Sequence, residues 1–267
     1  MKKTLLTFVA ATLLLTPSCK KGENDPALSL ISRTARFSGT WDFTGYSATS
    51  INTEFNGDYQ SSTSTLAENI ITNSYSYYDA ELSTTTTNSS NVTLNKAQIV
   101  IEKDGFWTKE WNTTTVFIDT VYDVSFDMWG EPIVTEIART TSTVEVTNET
   151  GNWSFLGKVE DTYKNKERVV LNTLTSNSAS TETIVLFNIN ANTTITNPSE
   201  SYSSTDNYLS GEAFQTFDID QLKGKEMIWK TSESNSGTFS FTSGGTTTTI
   251  DDDVYTSEAT WILSIVK

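Results

Sequence analysis

Apolar side chains recur along this chain at every second position, in short runs separated by polar or glycine-bearing segments, and that period of two predicts β-strands. The last run is the clearest: Ala259, Trp261, Leu263 and Ile265 alternate with Thr260 and Ser264. Val169, Leu171 and Thr173 alternate in a second run, and Val185, Phe187 and Ile189 in a third. Phe217 with Ile219, then Met227 with Trp229, predict two strands around a short connection at residues 221–225. Upstream, Ala97, Ile99 and Ile101 lead into Asp104-Gly105, a dipeptide that favours a two-residue hairpin turn. Trp107, Lys109 and Trp111 then share one face of the returning strand. No long stretch carries helical periodicity, and at least ten strands in succession without long helices predict an antiparallel all-β domain.

Composition sharpens this picture. Thr, Ser and Asn make up 99 of the 267 residues, yet 7 Trp, 10 Tyr and 13 Phe leave enough apolar bulk to build a core. Four stretches of low complexity, residues 84–91, 176–183, 192–205 and 231–249, are expected as long hydrated hairpin tips. Beyond residue 18 the only prolines are Pro26, Pro132 and Pro198, so few strands are forced to edge positions.

Several chemistries are excluded. With no histidine there is no Ser-His-Asp or Cys-His nucleophile and no imidazole-ligated metal. The single cysteine rules out disulfides within the chain and thiolate clusters. A formal charge of −15 gives no basic excess with which to bind nucleic acid. Paired carboxylates can hydrolyse glycosides without histidine, but nothing in the sequence sets two of them at a fixed distance, and no enzyme is expected.

At the N-terminus, Met1-Lys2-Lys3 precedes an apolar run at residues 5–15, too short to span a bilayer and of the length of a signal-peptide core. It ends in Thr16-Pro17-Ser18-Cys19, which resembles a lipobox with Thr16 where the usual motif has Leu. The resemblance implies a signal peptide at 1–18, acylation of Cys19 and a tether with a short helix at 19–35. Three acyl chains make such attachment effectively permanent. Lys20-Lys21-Gly22-Glu23-Asn24-Asp25 resembles the start of Bacteroidota lipoproteins, which implies the outer membrane, with its outer face favoured over the periplasmic one. Loss of Lys2 and Lys3 with the signal peptide moves the net charge from −15 to −17.

Residues 28–37 read as a short helix ahead of the first strand, and Gly39-Thr40-Trp41 follows. This pairing is similar to the G-x-W of lipocalins, where the Trp sits at the closed end of the barrel under a helical turn and against an Arg or Lys. Gly151-Asn152-Trp153, Lys166-Glu167-Arg168-Val169-Val170-Leu171 and the stretches around Phe217 and Trp229 extend the likeness. Together they resemble the lipocalin-like domain lipoproteins of Bacteroidota over most of residues 30–267. The resemblance implies an up-and-down antiparallel barrel over 36–267, with Arg36, Gly39 and Trp41 at its floor. G-x-W occurs three times, counting Gly105-Phe106-Trp107, where random placement of 13 Gly and 7 Trp predicts about a third of one. Repetition fits successive barrel strands and makes no single copy diagnostic.

Candidate chemistry is sparse. In a strand at 116–128, Asp119, Asp123 and Asp127 fall on one face and Ile118, Thr120, Tyr122, Val124 and Phe126 on the other. The outer two aspartates of that row are then about 26 Å apart, and neighbours about 13 Å, too far for one ion to bridge. Asp251-Asp252-Asp253 lacks the spacing of a calcium loop. No metal or other cofactor is expected. Asp119-Thr120-Val121 and Asp161-Thr162-Tyr163 resemble a Bacteroidota O-glycosylation sequon, which implicates Thr120 and Thr162. Trp41, Trp153 and Trp261 read as core, while Trp107, Trp111, Trp229 and Tyr122 are the candidates for a ligand-lined wall. The expected function is a membrane-anchored envelope lipoprotein holding a small apolar molecule in its barrel. A surface glycan binder or adhesin, and a barrel packed solid for a structural role, stay open beside it.

Overall fold

The computed structural model describes residues 32–266 apart from 55–56, 157–166, 224 and 244–245, and the side chains of 235–253 are outside the description as well. A helix, α1 (Arg33–Phe37), precedes β1 (Gly39–Thr53), β2 (Tyr59–Ala67), β3 (Ile70–Asp79), β4 (Thr84–Ile101), β5 (Phe106–Phe126) and β6 (Pro132–Leu156). Then come β7 (Glu167–Asn188), β8 (Thr193–Thr196), β9 (Glu200–Asn207), β10 (Ala213–Lys223), β11 (Glu226–Ser243) and β12 (Thr246–Ile265). The all-β antiparallel expectation holds. Ten strands, β1 to β7 and β10 to β12, pair in sequence and close on themselves through β12 and β1. The runs at 169–173 and 185–189, expected as two strands, fall largely on the single long β7.

The closure is tighter at the end nearest α1. There Gly39–Asp42 of β1 pairs directly with Gln98–Ile101 of β4, bypassing the β2–β3 hairpin, so the ring is eight strands around at this level. Eight strands give an interior that side chains nearly fill. Farther along, β2 and β3 join the ring, β4 and β5 part beyond Val92 and Thr115, and β10 leaves β7 at Thr173 so that β9 takes its place.

Among the described residues, most of the polar stretches expected as hairpin tips are strand. Residues 84–91 pair with β3, 176–182 pair with β6 and β9, 193–196 and 200–207 form β8 and β9, and 231–243 pair with β12. Their backbone bonds are made by the neighbouring strand, and β-branched Thr suits an extended chain without needing an apolar face. Hydroxyls also pair across the strands: Ser50 with Ser62 at 2.8 Å, Ser76 with Thr87 at 2.9 Å and Ser178 with Ser204 at 2.7 Å.

The turn at Asp104-Gly105 differs from the two-residue form expected. Glu102 N–H donates to the Phe106 carbonyl at 2.9 Å, Gly105 N–H donates to that of Glu102 at 3.3 Å, and Gly105 has φ +99°. This is a three-residue loop ending in a left-handed glycine. The backbone bonds at 54–58 and 127–131 repeat it, with Gly57 and Gly130 in the same role.

The core sits at the eight-stranded end. Phe37, the last residue of α1, is fully buried and plugs the ring, its phenyl 4.8 Å from the Trp153 ring, 5.2 Å from Phe155 and 6.0 Å from Trp229. The five-residue helix is capped by Ser32, whose hydroxyl accepts from Ala35 N–H at 3.2 Å. Arg33 forms an ion pair with the buried Glu167 and lies 3.8 Å over the Phe155 ring, and Arg36 Nη1 donates to the Leu222 carbonyl at 2.8 Å.

Candidate functional site

Each G-x-W tryptophan turns its indole N–H onto a backbone carbonyl of this floor. Trp41 donates to Phe37 at 3.0 Å, Trp153 to Glu102 at 2.9 Å, and Trp107 to both Asn152 at 3.1 Å and Asn172 at 3.2 Å. At Trp107 the approach needs a glycine, since a methyl on Gly151 would overlap the Asn172 carbonyl at the β6–β7 bulge.

Directly inside this floor lies a cavity of about 280 Å³. It has two unlike walls. On one, β11, β12 and β1 contribute Trp229, Trp261 and Phe43, joined by Trp111 from β5. The Phe43 ring stands 5.5 Å from Trp261 and 5.7 Å from Trp111, and Trp111 stands 6.1 Å from Trp261, all edge-on. A bulge in β1 between Phe43 and Gly45 shifts the alternation by one residue, so Tyr46 faces its cross-strand partner Trp261 with ring centroids 3.9 Å apart. Burial pushes the Tyr46 hydroxyl pKa up.

The other wall is mixed, with Trp107, Leu171 and Phe217 set among polar groups. Lys109 of β5 and Glu149 of β6 are direct cross-strand neighbours, and Lys109 Nζ donates to Glu149 Oε2 at 2.6 Å. Their side chains are 30% and 23% exposed. Thr147, Thr173 and Gln215 line the cavity beside them. In the eight-stranded order β5 lies opposite β11 and β6 opposite β12, the strands that carry Trp229 and Trp261. The indole N–H groups of those two tryptophans are buried without a hydrogen-bond partner.

Of the residues singled out in the sequence, Trp107, Trp111 and Trp229 all line this cavity. Tyr122 does not. It is 65% exposed on the outward face of β5, eleven residues and about 36 Å of strand beyond Trp111. Arg36, Gly39 and Trp41 meet around the floor, although Trp41's indole bonds Phe37 and Arg36 bonds Leu222. Thr120 is exposed on β5. Asp119 is paired with its cross-strand neighbour Arg139, whose Nε donates to Oδ1 at 2.8 Å, and Asp127 Oδ1 accepts from the N–H of Trp129 and Glu131 in the turn. Among the described residues no group of three or more possible metal ligands gathers. Cys19, Thr162 and the signal peptide lie outside the described residues, as do the side chains of Asp251, Asp252 and Asp253.

Sequence reasoning missed Glu149, Gln215, Thr147 and Thr173 as lining residues and assigned Trp261 to the core. Lys109 was already placed on the face of Trp107 and Trp111, but its partner depends on the β5–β6 register. It also missed Met128 and Trp129, 86% and 82% exposed at the tip of the β5–β6 hairpin. No protein-family model matches this chain, and neither does any curated protein. Among the described residues no helix is long and apolar enough to cross a membrane.

Proposed function

We propose that this protein is a cell-envelope lipoprotein whose lipocalin-like barrel holds a small, largely apolar molecule. The observation that carries the reading is the cavity of about 280 Å³ above a sealed floor, with four aromatic side chains on one wall. A ligand that loses about 300 Å² of apolar surface there gains roughly 7 kcal/mol gross. Association costs of several kcal/mol then leave a weak to moderate affinity unless a polar group adds to it. The reading assigns no reaction and no cofactor to the cavity. In this reading acylated Cys19 anchors the protein in the outer membrane, on the outer face by preference.

Native mass spectrometry of residues 20–267, expressed in the envelope of a related bacterium and compared before and after solvent extraction, tests the carrier role. A discrete extractable mass of a few hundred daltons is expected, and an empty protein from every preparation would sink the idea. Lipidation is tested separately: Cys19→Ala protein should leave the detergent phase into which wild type partitions.

A second reading, a surface glycan binder or adhesin, is favoured by one observation. Tyr122, Phe126 and Trp129 are exposed aromatic rings on one hairpin, far from the cavity. Loss of glycan-array binding on Trp129→Ala would support it.

A further inference from the structure

We infer that the cavity selects a neutral ring compound carrying a hydroxyl or amide group, its ring against Trp229 and Trp261 and its polar group between Lys109 and Glu149. This rests on the reading that the cavity holds a small molecule and adds the chemistry of what it holds. Size comes first. A cavity of about 280 Å³ lies at the small end of ligand pockets, which suits one substituted ring.

Charge decides the rest. Lys109 and Glu149 sum to zero, are each less than a third exposed, and sit 2.6 Å apart on neighbouring strands. A carboxylate entering this space would put two anions around one ammonium, and an amine would put two cations around one carboxylate. Either leaves a net charge in a partly dehydrated lumen, which is costly. A molecule with no polar group would displace water from Lys109 and Glu149 without replacing its hydrogen bonds. A hydroxyl or amide both accepts from Lys109 and donates to Glu149, so the pair stays balanced. Gln215, Thr147 and Thr173, which also line the cavity, are likewise neutral groups that donate and accept. The opposite wall offers ring faces and edges, which suit a flat ring better than a flexible chain.

Four probes of one shape test this on residues 20–267, which contain every described element: benzyl alcohol, toluene, benzoate and benzylamine, each titrated at neutral pH and followed by saturation-transfer NMR. Benzyl alcohol should bind about tenfold tighter than the other three. Lys109→Met, which leaves Glu149 alone, should turn the preference to benzylamine, and Glu149→Met should turn it to benzoate. The double variant Lys109→Met/Glu149→Met should prefer toluene, which keeps the test valid if one single variant folds poorly. Equal binding of toluene and benzyl alcohol to wild type, or unchanged preferences in the variants, would overturn the inference and leave the carrier reading standing. Failure of all four probes to bind any of the proteins would overturn both.

Discussion

A methyl group on Gly151 would lie 2.8 Å from Trp107 Nε1, so the indole reaches the carbonyls of Asn152 and Asn172 only because residue 151 has no side chain. The same methyl would overlap the Asn172 carbonyl itself. Gly151→Ala should therefore destabilise the protein by about 3 kcal/mol or more, through overpacking and the loss of buried hydrogen bonds. Gly130→Ala is the comparison. Nothing lies within 4 Å of that position and only its φ of +83° resists a side chain, so a loss of about 1–2 kcal/mol is expected. Urea unfolding midpoints of the two variants would settle the order, and equal losses would contradict the close-approach account.

The plug at the floor makes a second contrast. Phe37 is fully buried among Trp153, Phe155 and Trp229, and Phe37→Ala should cost about 3–5 kcal/mol. Phe126, on the exposed end of β5, should tolerate Ala within about 0.5 kcal/mol. Chemical denaturation of both variants checks the pair.

Tyr77 Oη donates to Asp58 Oδ2 at 2.8 Å, and that hydrogen bond, the largest cause, with desolvation and the charge of Asp58, pushes the phenol pKa up to about 12. Asp58 is itself buried and holds the Ala80 N–H at 2.7 Å. Because the folded pKa is raised above the ordinary 10.0, the contact contributes fully below pH 10 and is lost as pH climbs from there to about 12. Tyr46 and Tyr202 are raised as well, by burial and by the hydrogen bond to Glu200, so a spectrophotometric phenol titration of wild type should show several late tyrosines, one fewer of them in Asp58→Asn.

At the other end of the pH scale, the hydrogen bond from Arg139 and the arginine's charge hold Asp119 below the usual carboxylate range. The pair therefore contributes above the ordinary aspartate pKa and is lost as pH falls through the lowered one. Arg139→Leu should raise the Asp119 value in an NMR titration, with little change in overall stability because the pair is open to water.

Met128 and Trp129 stand 86% and 82% exposed on a turn braced by Asp127. Met128→Ser/Trp129→Ser should leave the unfolding midpoint within about 0.5 kcal/mol of wild type while reducing the binding of a hydrophobic dye. Undiminished dye binding would place the accessible apolar surface elsewhere.

Much of the fold was legible because burial has a local signature in strands. Ala97, Ile99 and Ile101, and likewise Phe217, Ile219, Met227 and Trp229, are buried as their spacing predicts. The polar strands were not legible. Thr84 and its neighbours have no buried face to betray a period, and their hydrogen bonds are supplied by a partner strand that no local pattern names. The G-x-W repeat was visible, but its purpose was not: each indole bonds a carbonyl four to sixty-five residues away.

The alternation of side chains is enough to give the all-β class, the positions of the apolar strands and the face shared by Trp107, Lys109 and Trp111, since a pleated strand sends successive residues to opposite sides. Folding adds that Lys109 meets Glu149, that Trp229 and Trp261 line the same cavity, and that Tyr122 stands far from all of them. Those relations depend on register, ring closure and a one-residue bulge in β1. They are set by contacts between segments far apart in the chain, such as Trp41 with Ile265, and no local pattern encodes them.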